Sequence, residues 1–140
     1  MPTTVLLAIT FGGLAVAAVL AALRGSWVDR AVVAAFIANE AASAFLIDPN
    51  YWGAVQRGAF LADLALLAVL LVVTVRWPRT YLLVLSILQL AMVGVHVARL
   101  IPAPLHQAGY AFALFVLTEV QVLTLPIGLA LVRRRPKPVS

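Results

Sequence analysis

The sequence predicts an all-α integral membrane protein with five transmembrane helices, and three observations carry that reading. Of its 140 residues, 64% are hydrophobic and only 11% are charged, against roughly 25% charged in a soluble domain. Mean hydropathy is +1.08. The apolar residues fall into five runs of about 17–24 residues, each long enough to cross a hydrocarbon core ~30 Å thick. A four-span arrangement is the fallback, should one run be re-entrant. The runs follow one another with no room for a soluble module, so residues 1–132 read as one transmembrane domain and 133–140 as a basic cytoplasmic tail.

Cysteine is absent, which excludes disulfides, iron–sulfur clusters, thiolate zinc sites and c-type haem. The net charge of +5 would suggest nucleic acid in a soluble protein. Here the basic residues cluster at span ends, where they set topology, and no nucleic-acid partner is expected. The ten basic residues include a single lysine, a bias that goes with a GC-rich bacterial genome.

Span one, about 3–23, has no basic residue ahead of it and so does not read as a signal peptide. Its Gly13, Ala17 and Ala21 form a small-residue stripe that admits another backbone. The turn Arg24–Arg30 is short and basic. Span two, about 31–47, has few bulky residues, with Ala34, Ala38 and Ala42 on one line and Ala31, Ala35, Asn39 and Ser43 on the next. That composition predicts a central place in the bundle. Asp48-Pro49-Asn50 opens a turn, and Tyr51 and Trp52 fit an aromatic belt at headgroup level.

Span three, about 58–75, contains Asp63. The proline in Arg76-Trp77-Pro78-Arg79 stops one helix and begins the next. Span four, about 81–101, places Gln89, Met92, His96 and Arg99 on one face through spacings of three, four and seven. A proline-rich loop with His106 follows. Span five, about 109–132, carries Glu119 and Gln121, and Pro126 inside it removes a backbone hydrogen bond.

With five spans the turns alternate sides, and eight of the ten basic residues fall together. The positive-inside rule makes that side cytoplasmic, with the N-terminus out and the C-terminus in. Counted from the outer end at ~1.5 Å per residue, Arg99 lies ~3 Å deep, Asp63 and His96 ~7 Å, Glu40 ~10 Å, Glu119 ~15 Å and Gln89 ~18 Å. These side chains favour the outer half. They predict a polar pocket open to the outside, built from spans two to five, with Asp63 and His96 as its best-matched pair and Arg99 placed to neutralise Asp63 or Glu40.

Three readings compete for this cluster. A structural network would fix which helices pack together, at about 0.6 kcal/mol per hydrogen bond in membranes. Alternatively, three carboxylates against one arginine leave an acid surplus that suits a proton or cation. The third reading is a pocket for a hydrophobic ligand such as a quinone, lipid or pigment, its polar head held by His96 or Arg99. A metal site or bis-histidine haem fits less well, because ligand spacings such as HxxxH are missing and prolines separate His96 from His106. No Walker loop, nucleophile elbow or dinucleotide fingerprint occurs. Catalytic residues, a resident metal and a cofactor are therefore not assigned.

The order of Trp27, Asp29-Arg30-Ala31, Asp63-Leu64-Ala65-Leu66-Leu67, Trp77-Pro78, Gln89-Leu90, His96 and an arginine-rich tail resembles a group of small inner-membrane proteins of alphaproteobacteria. No activity attaches to that group, so the resemblance implies only a bacterial inner (cytoplasmic) membrane. The expectation from residues and resemblance together is a non-enzymatic subunit or accessory component of a membrane assembly, with a protein partner or a homo-oligomer in the bilayer. The alternatives are a proton- or cation-coupled transporter and a ligand-binding membrane protein.

Overall fold

The computed structural model describes residues 3–46, 55–101 and 107–132, with side chains from residue 8 onward. Tyr51, Trp52, His106 and the basic tail lie outside the described residues. Five helices follow in order: α1 (Thr3–Arg24), α2 (Trp27–Leu46), α3 (Arg57–Arg76), α4 (Thr80–Leu100) and α5 (Gln107–Leu131). Three of them, α3, α4 and α5, are long and apolar enough to cross a membrane. The polar content of α2 is higher because its 20 residues include Asp29, Arg30 and Glu40.

The helices form a ring. Each packs on its sequence neighbours, and α1 closes the circle against α5. Side-chain contacts align the neighbours along their lengths. Asn39 meets Asp63 between α2 and α3, and Thr74 meets Ser86 between α3 and α4. Between α4 and α5, Gln121 meets Gln89 at one height and Tyr110 meets His96 at another. Between α1 and α5 the order runs the same way in both helices, as the Thr10–Glu119 bond and the close approach of Val122 to Gly13 together show. Helices one and five are therefore parallel and the consecutive pairs antiparallel.

Two expectations change at this level. The small stripe of α1 is spent inside the chain, since Ala17 and Ala21 are buried and a Cβ at Gly13 would collide with Val122 of α5. Small residues permit this approach, and close packing holds membrane helices together where lipid offers no hydrophobic drive. Nor is α2 central: it occupies a ring position between α1 and α3, with Ala34 and Ala38 exposed.

The interior is layered. Leu70, Leu82, Leu85 and Leu125 are each 0% exposed, beside Val32 and Phe36. On α2, α3 and α4 these residues lie between the polar groups of one end and those of the other, and on α5 Leu125 lies beyond Gln121. Ser86 is the polar exception within the layer. It is satisfied by Thr74 at 2.9 Å and by donation to the Leu82 carbonyl at 2.8 Å. Outside the ring, large apolar side chains such as Phe45, Val75 and Phe112 stand exposed. Helix α5 continues through Pro126 to Leu131.

Candidate functional site

Asp63 is the hub of a buried network drawn from four helices. Its Oδ2 lies 3.0 Å from His96 Nε2. Its Oδ1 accepts from Asn39 Nδ2 at 3.1 Å and Gln89 Nε2 at 3.0 Å. Gln89 Nε2 also reaches the Asp63 main-chain carbonyl at 3.0 Å, while Gln89 Oε1 accepts from Gln121 at 2.7 Å. On the far side of the imidazole, Nδ1 is 2.8 Å from the Tyr110 hydroxyl, which accepts from the Gln56 N–H at 3.4 Å. His96, Gln89 and Tyr110 are wholly buried.

Protons can be assigned from the network. Tyr110 donates to Nδ1, Nε2–H donates to Asp63, and the carboxylate accepts on both oxygens, leaving the imidazole neutral. The seven hydrogen bonds of the network, at the membrane average of about 0.6 kcal/mol each, contribute roughly 4 kcal/mol.

The remaining predicted residues surround this hub. Glu40 is partly buried and within electrostatic reach of both Asp63 and Glu119. Glu119 accepts from the Thr10 hydroxyl at 2.6 Å, and its other carboxylate oxygen is buried without a hydrogen-bond partner. Arg99 is partly buried one turn beyond His96, within electrostatic reach of Tyr110. Asp63, Gln89 and His96 thus meet directly, with no gap between the carboxylate and the imidazole. The described residues hold no group of three or more His, Cys, Asp or Glu side chains placed to share a metal.

Sequence reasoning missed Tyr110. Its signal was a tyrosine one turn inside the outer end of a span, where a buried hydroxyl requires a partner. Asn39 and Gln121 were recognisable as polar residues in their spans, but their partners are long-range contacts.

A second polar cluster sits at the opposite end. Ser26 and Asp29 form a reciprocal cap for α2: the Ser26 N–H donates to Asp29 at 2.8 Å, and the Asp29 N–H lies 3.4 Å from Ser26 Oγ. This is the capping-box arrangement with aspartate in the acidic position. It starts α2 four residues earlier than the apolar pattern alone suggests. Arg79 and the Tyr81 hydroxyl both donate to Asp29 Oδ1, tying the α1–α2 turn to the α3–α4 turn. Trp27 packs edge-on to Trp77 at 4.9 Å.

Asp29 and Arg79 flank the spans. Burial pushes the Asp29 carboxyl up, but hydrogen bonds from Tyr81, Arg79 and Ser26 outweigh it and hold the group below its ordinary value. Burial likewise opposes the Arg79 charge, and the Asp29 carboxylate more than restores it, raising the guanidinium above its usual range. Arg30 closes the same end by donating to the Ala21 and Ala22 carbonyls at 3.2 and 3.0 Å, the first of which also accepts from the Gly25 N–H at 3.0 Å.

The chain matches no protein-family model, no curated protein and no solved structure.

Proposed function

We propose that this chain is a five-span bacterial inner-membrane protein, N-terminus outside and C-terminus inside, acting as a non-enzymatic component of a larger membrane assembly. Parallel alignment of α1 with α5 supports the five-span topology, because the ring holds α1 and α2 alongside helices that meet the length and hydropathy for crossing. At 22 residues, α1 reaches the same ~30 Å at 1.5 Å per residue, and α2 runs beside it from its capped first turn at Ser26–Asp29. The arginines of both inner turns then face the cytoplasm, as the charge rule requires.

The observation that carries the assembly role is the leucine layer. The Asp63 network spends most of its polar atoms on itself, leaving Asn39 Oδ1 and the neighbouring Glu119 Oε2 without a hydrogen-bond partner, and fully buried leucines on α3, α4 and α5 stand between it and the cytoplasmic end. A polar route through a single chain is thereby disfavoured. The exposed Ala34–Ala38 line and Gly94, which has nothing within 4 Å of a built Cβ, leave small-residue surface for another helix. Purification in mild detergent with mass measurement tests this reading. A defined complex or homo-oligomer is expected, and a lone monomer at all protein-to-detergent ratios overturns it.

A specific observation favours a second reading, proton or cation handling. The His96 ring is hydrogen-bonded on both nitrogens, between a phenol and a carboxylate, an arrangement suited to passing a proton across the imidazole. Glu40 and Glu119 supply further carboxylates beside it. Proton or cation flux in proteoliposomes that is lost in Asp63→Asn and Glu119→Gln would favour this reading. Flux unchanged in both variants counts against it.

A further inference from the structure

A cavity of about 1060 Å³ lies at the other end of the ring from the Asp63 network. Its walls have two chemistries. Arg24, Arg76 and Arg79 line it together with Trp77, and so do the apolar Val84 of α4 and Ile127 and Leu131 of α5. We propose that this cavity is a binding site for an anionic phospholipid, with the headgroup phosphate held by Arg24 and Arg76 and the acyl chains laid along Val84, Ile127 and Leu131. The proposal uses the membrane placement given above and is independent of the assembly role.

Charge comes first. Asp29 is the cavity's carboxylate, and it is already engaged by Arg79, Tyr81 and Ser26. Among the described residues, Arg24 and Arg76 have no ion-pair partner. Three guanidinium groups against one carboxylate leave an excess of two positive charges. A guanidinium fork matches phosphate oxygens bidentately.

Shape and polarity then select an amphiphile over a soluble anion. Val84, Ile127 and Leu131 are 39%, 58% and 75% exposed, so the apolar wall continues onto the lipid-facing surface. A free phosphate would leave that wall unused. A volume of this size falls at the upper end for small-molecule pockets, large enough for a headgroup and the first part of its chains. Trp77 sits where an indole favours the headgroup level. Gly128 also lines the cavity, and a Cβ there would collide with the Tyr81 side chain, so glycine keeps the α4–α5 wall in register.

The test is native mass spectrometry of the full chain in neutral detergent, titrated separately with phosphatidylglycerol, with phosphatidylcholine of matched chains and with inorganic phosphate. One tightly retained phosphatidylglycerol is expected. The double variant Arg24→Gln/Arg76→Gln should weaken it roughly thirty-fold, taking each basic side chain at about its usual contribution near an anionic surface. Because both arginines are exposed, the variant should keep its helical circular dichroism. A parallel variant, Arg134→Gln/Arg135→Gln, removes equal charge from the tail and should leave retention unchanged. Equal retention of phosphatidylcholine overturns the proposal, as does loss confined to the tail variant. Phosphate displacing the lipid at comparable concentration would show a simple anion site and would also overturn it. Arg24→Lys/Arg76→Lys gives an independent check: charge alone predicts full retention, whereas bidentate recognition predicts partial loss.

Discussion

The two ends of the bundle solve the same problem differently. Both bury an aspartate among hydrogen-bond donors. Asp63 is surrounded by neutral partners, Asn39, Gln89 and His96, all carried on helices and all deep in the ring. Asp29 is met by a cation, a phenol and its own capping serine at a turn, and Arg79 keeps 27% of its side chain exposed. A carboxylate far from water can be stabilised by fixed neutral dipoles, which requires several helices to agree on one register. A carboxylate at the rim can use a mobile arginine, whose contribution solvent and salt weaken. The Asp63 network therefore specifies packing, and the Asp29 cluster latches two turns.

The largest effect should come from removing the hub. Asp63→Ala leaves three buried donors unpaired, and at about 1 kcal/mol or more for each the unfolding free energy in mixed micelles should fall by roughly 3 kcal/mol. Asp63→Asn, which keeps an acceptor, should cost about half of that. Equal losses for both would show that charge, and not hydrogen-bond count, sets the hub's contribution.

Next comes Gly128→Ala. The added Cβ would collide with the Tyr81 side chain near its root, which cannot swing aside as a flexible tip would. A cost of about 1–3 kcal/mol is expected from overpacking. Tyr81→Ala in the same chain should absorb most of it, and a fully additive double variant would sever the link between this glycine and the latch.

The latch itself should answer to acid. Because the Asp29 carboxyl is held below its ordinary value, its contribution is complete above the ordinary carboxylate value and is lost as pH falls through the lower folded one. Stability against unfolding, followed from about pH 7 to about pH 3, should therefore be flat at first and weaken at the acid end. Asp29→Asn should remove its share of that acid-end loss. It should also cost about 1–2 kcal/mol near neutrality, less in high salt.

The smallest effect is Tyr110→Phe, about 0.6 kcal/mol for one membrane hydrogen bond. Its sharper readout is nitrogen NMR of His96. The parent should show Nε2 protonated, and the variant should show a mixed tautomer once Nδ1 loses its donor. An unchanged tautomer would mean that Asp63 alone fixes the ring.

Much of this was legible before any coordinates. Apolar run lengths set the five helices to within a few residues, and equal depth on consecutive antiparallel spans paired Asp63 with His96. The start of α2 was harder, because a hydropathy pattern does not register Ser26–Asp29 capping and Asp29-Arg30 reads as a turn. The Asp29–Arg79–Tyr81 contact spans about fifty residues of sequence, and no local periodicity encodes it. The ring was illegible for a similar reason. Small residues on α1 and α2 announce close approach without saying which helix approaches, and here α1 spends its stripe on α5 while the Ala34–Ala38 line of α2 stays open.

Ring closure also has a temporal meaning. Thr10 bonds Glu119, and Gly13 receives Val122, so α1 is completed by a helix made about a hundred residues later. Until α5 is made, the side of α1 that receives it has no permanent neighbour, and a nascent chain stopped before α5 exposes that unfinished side.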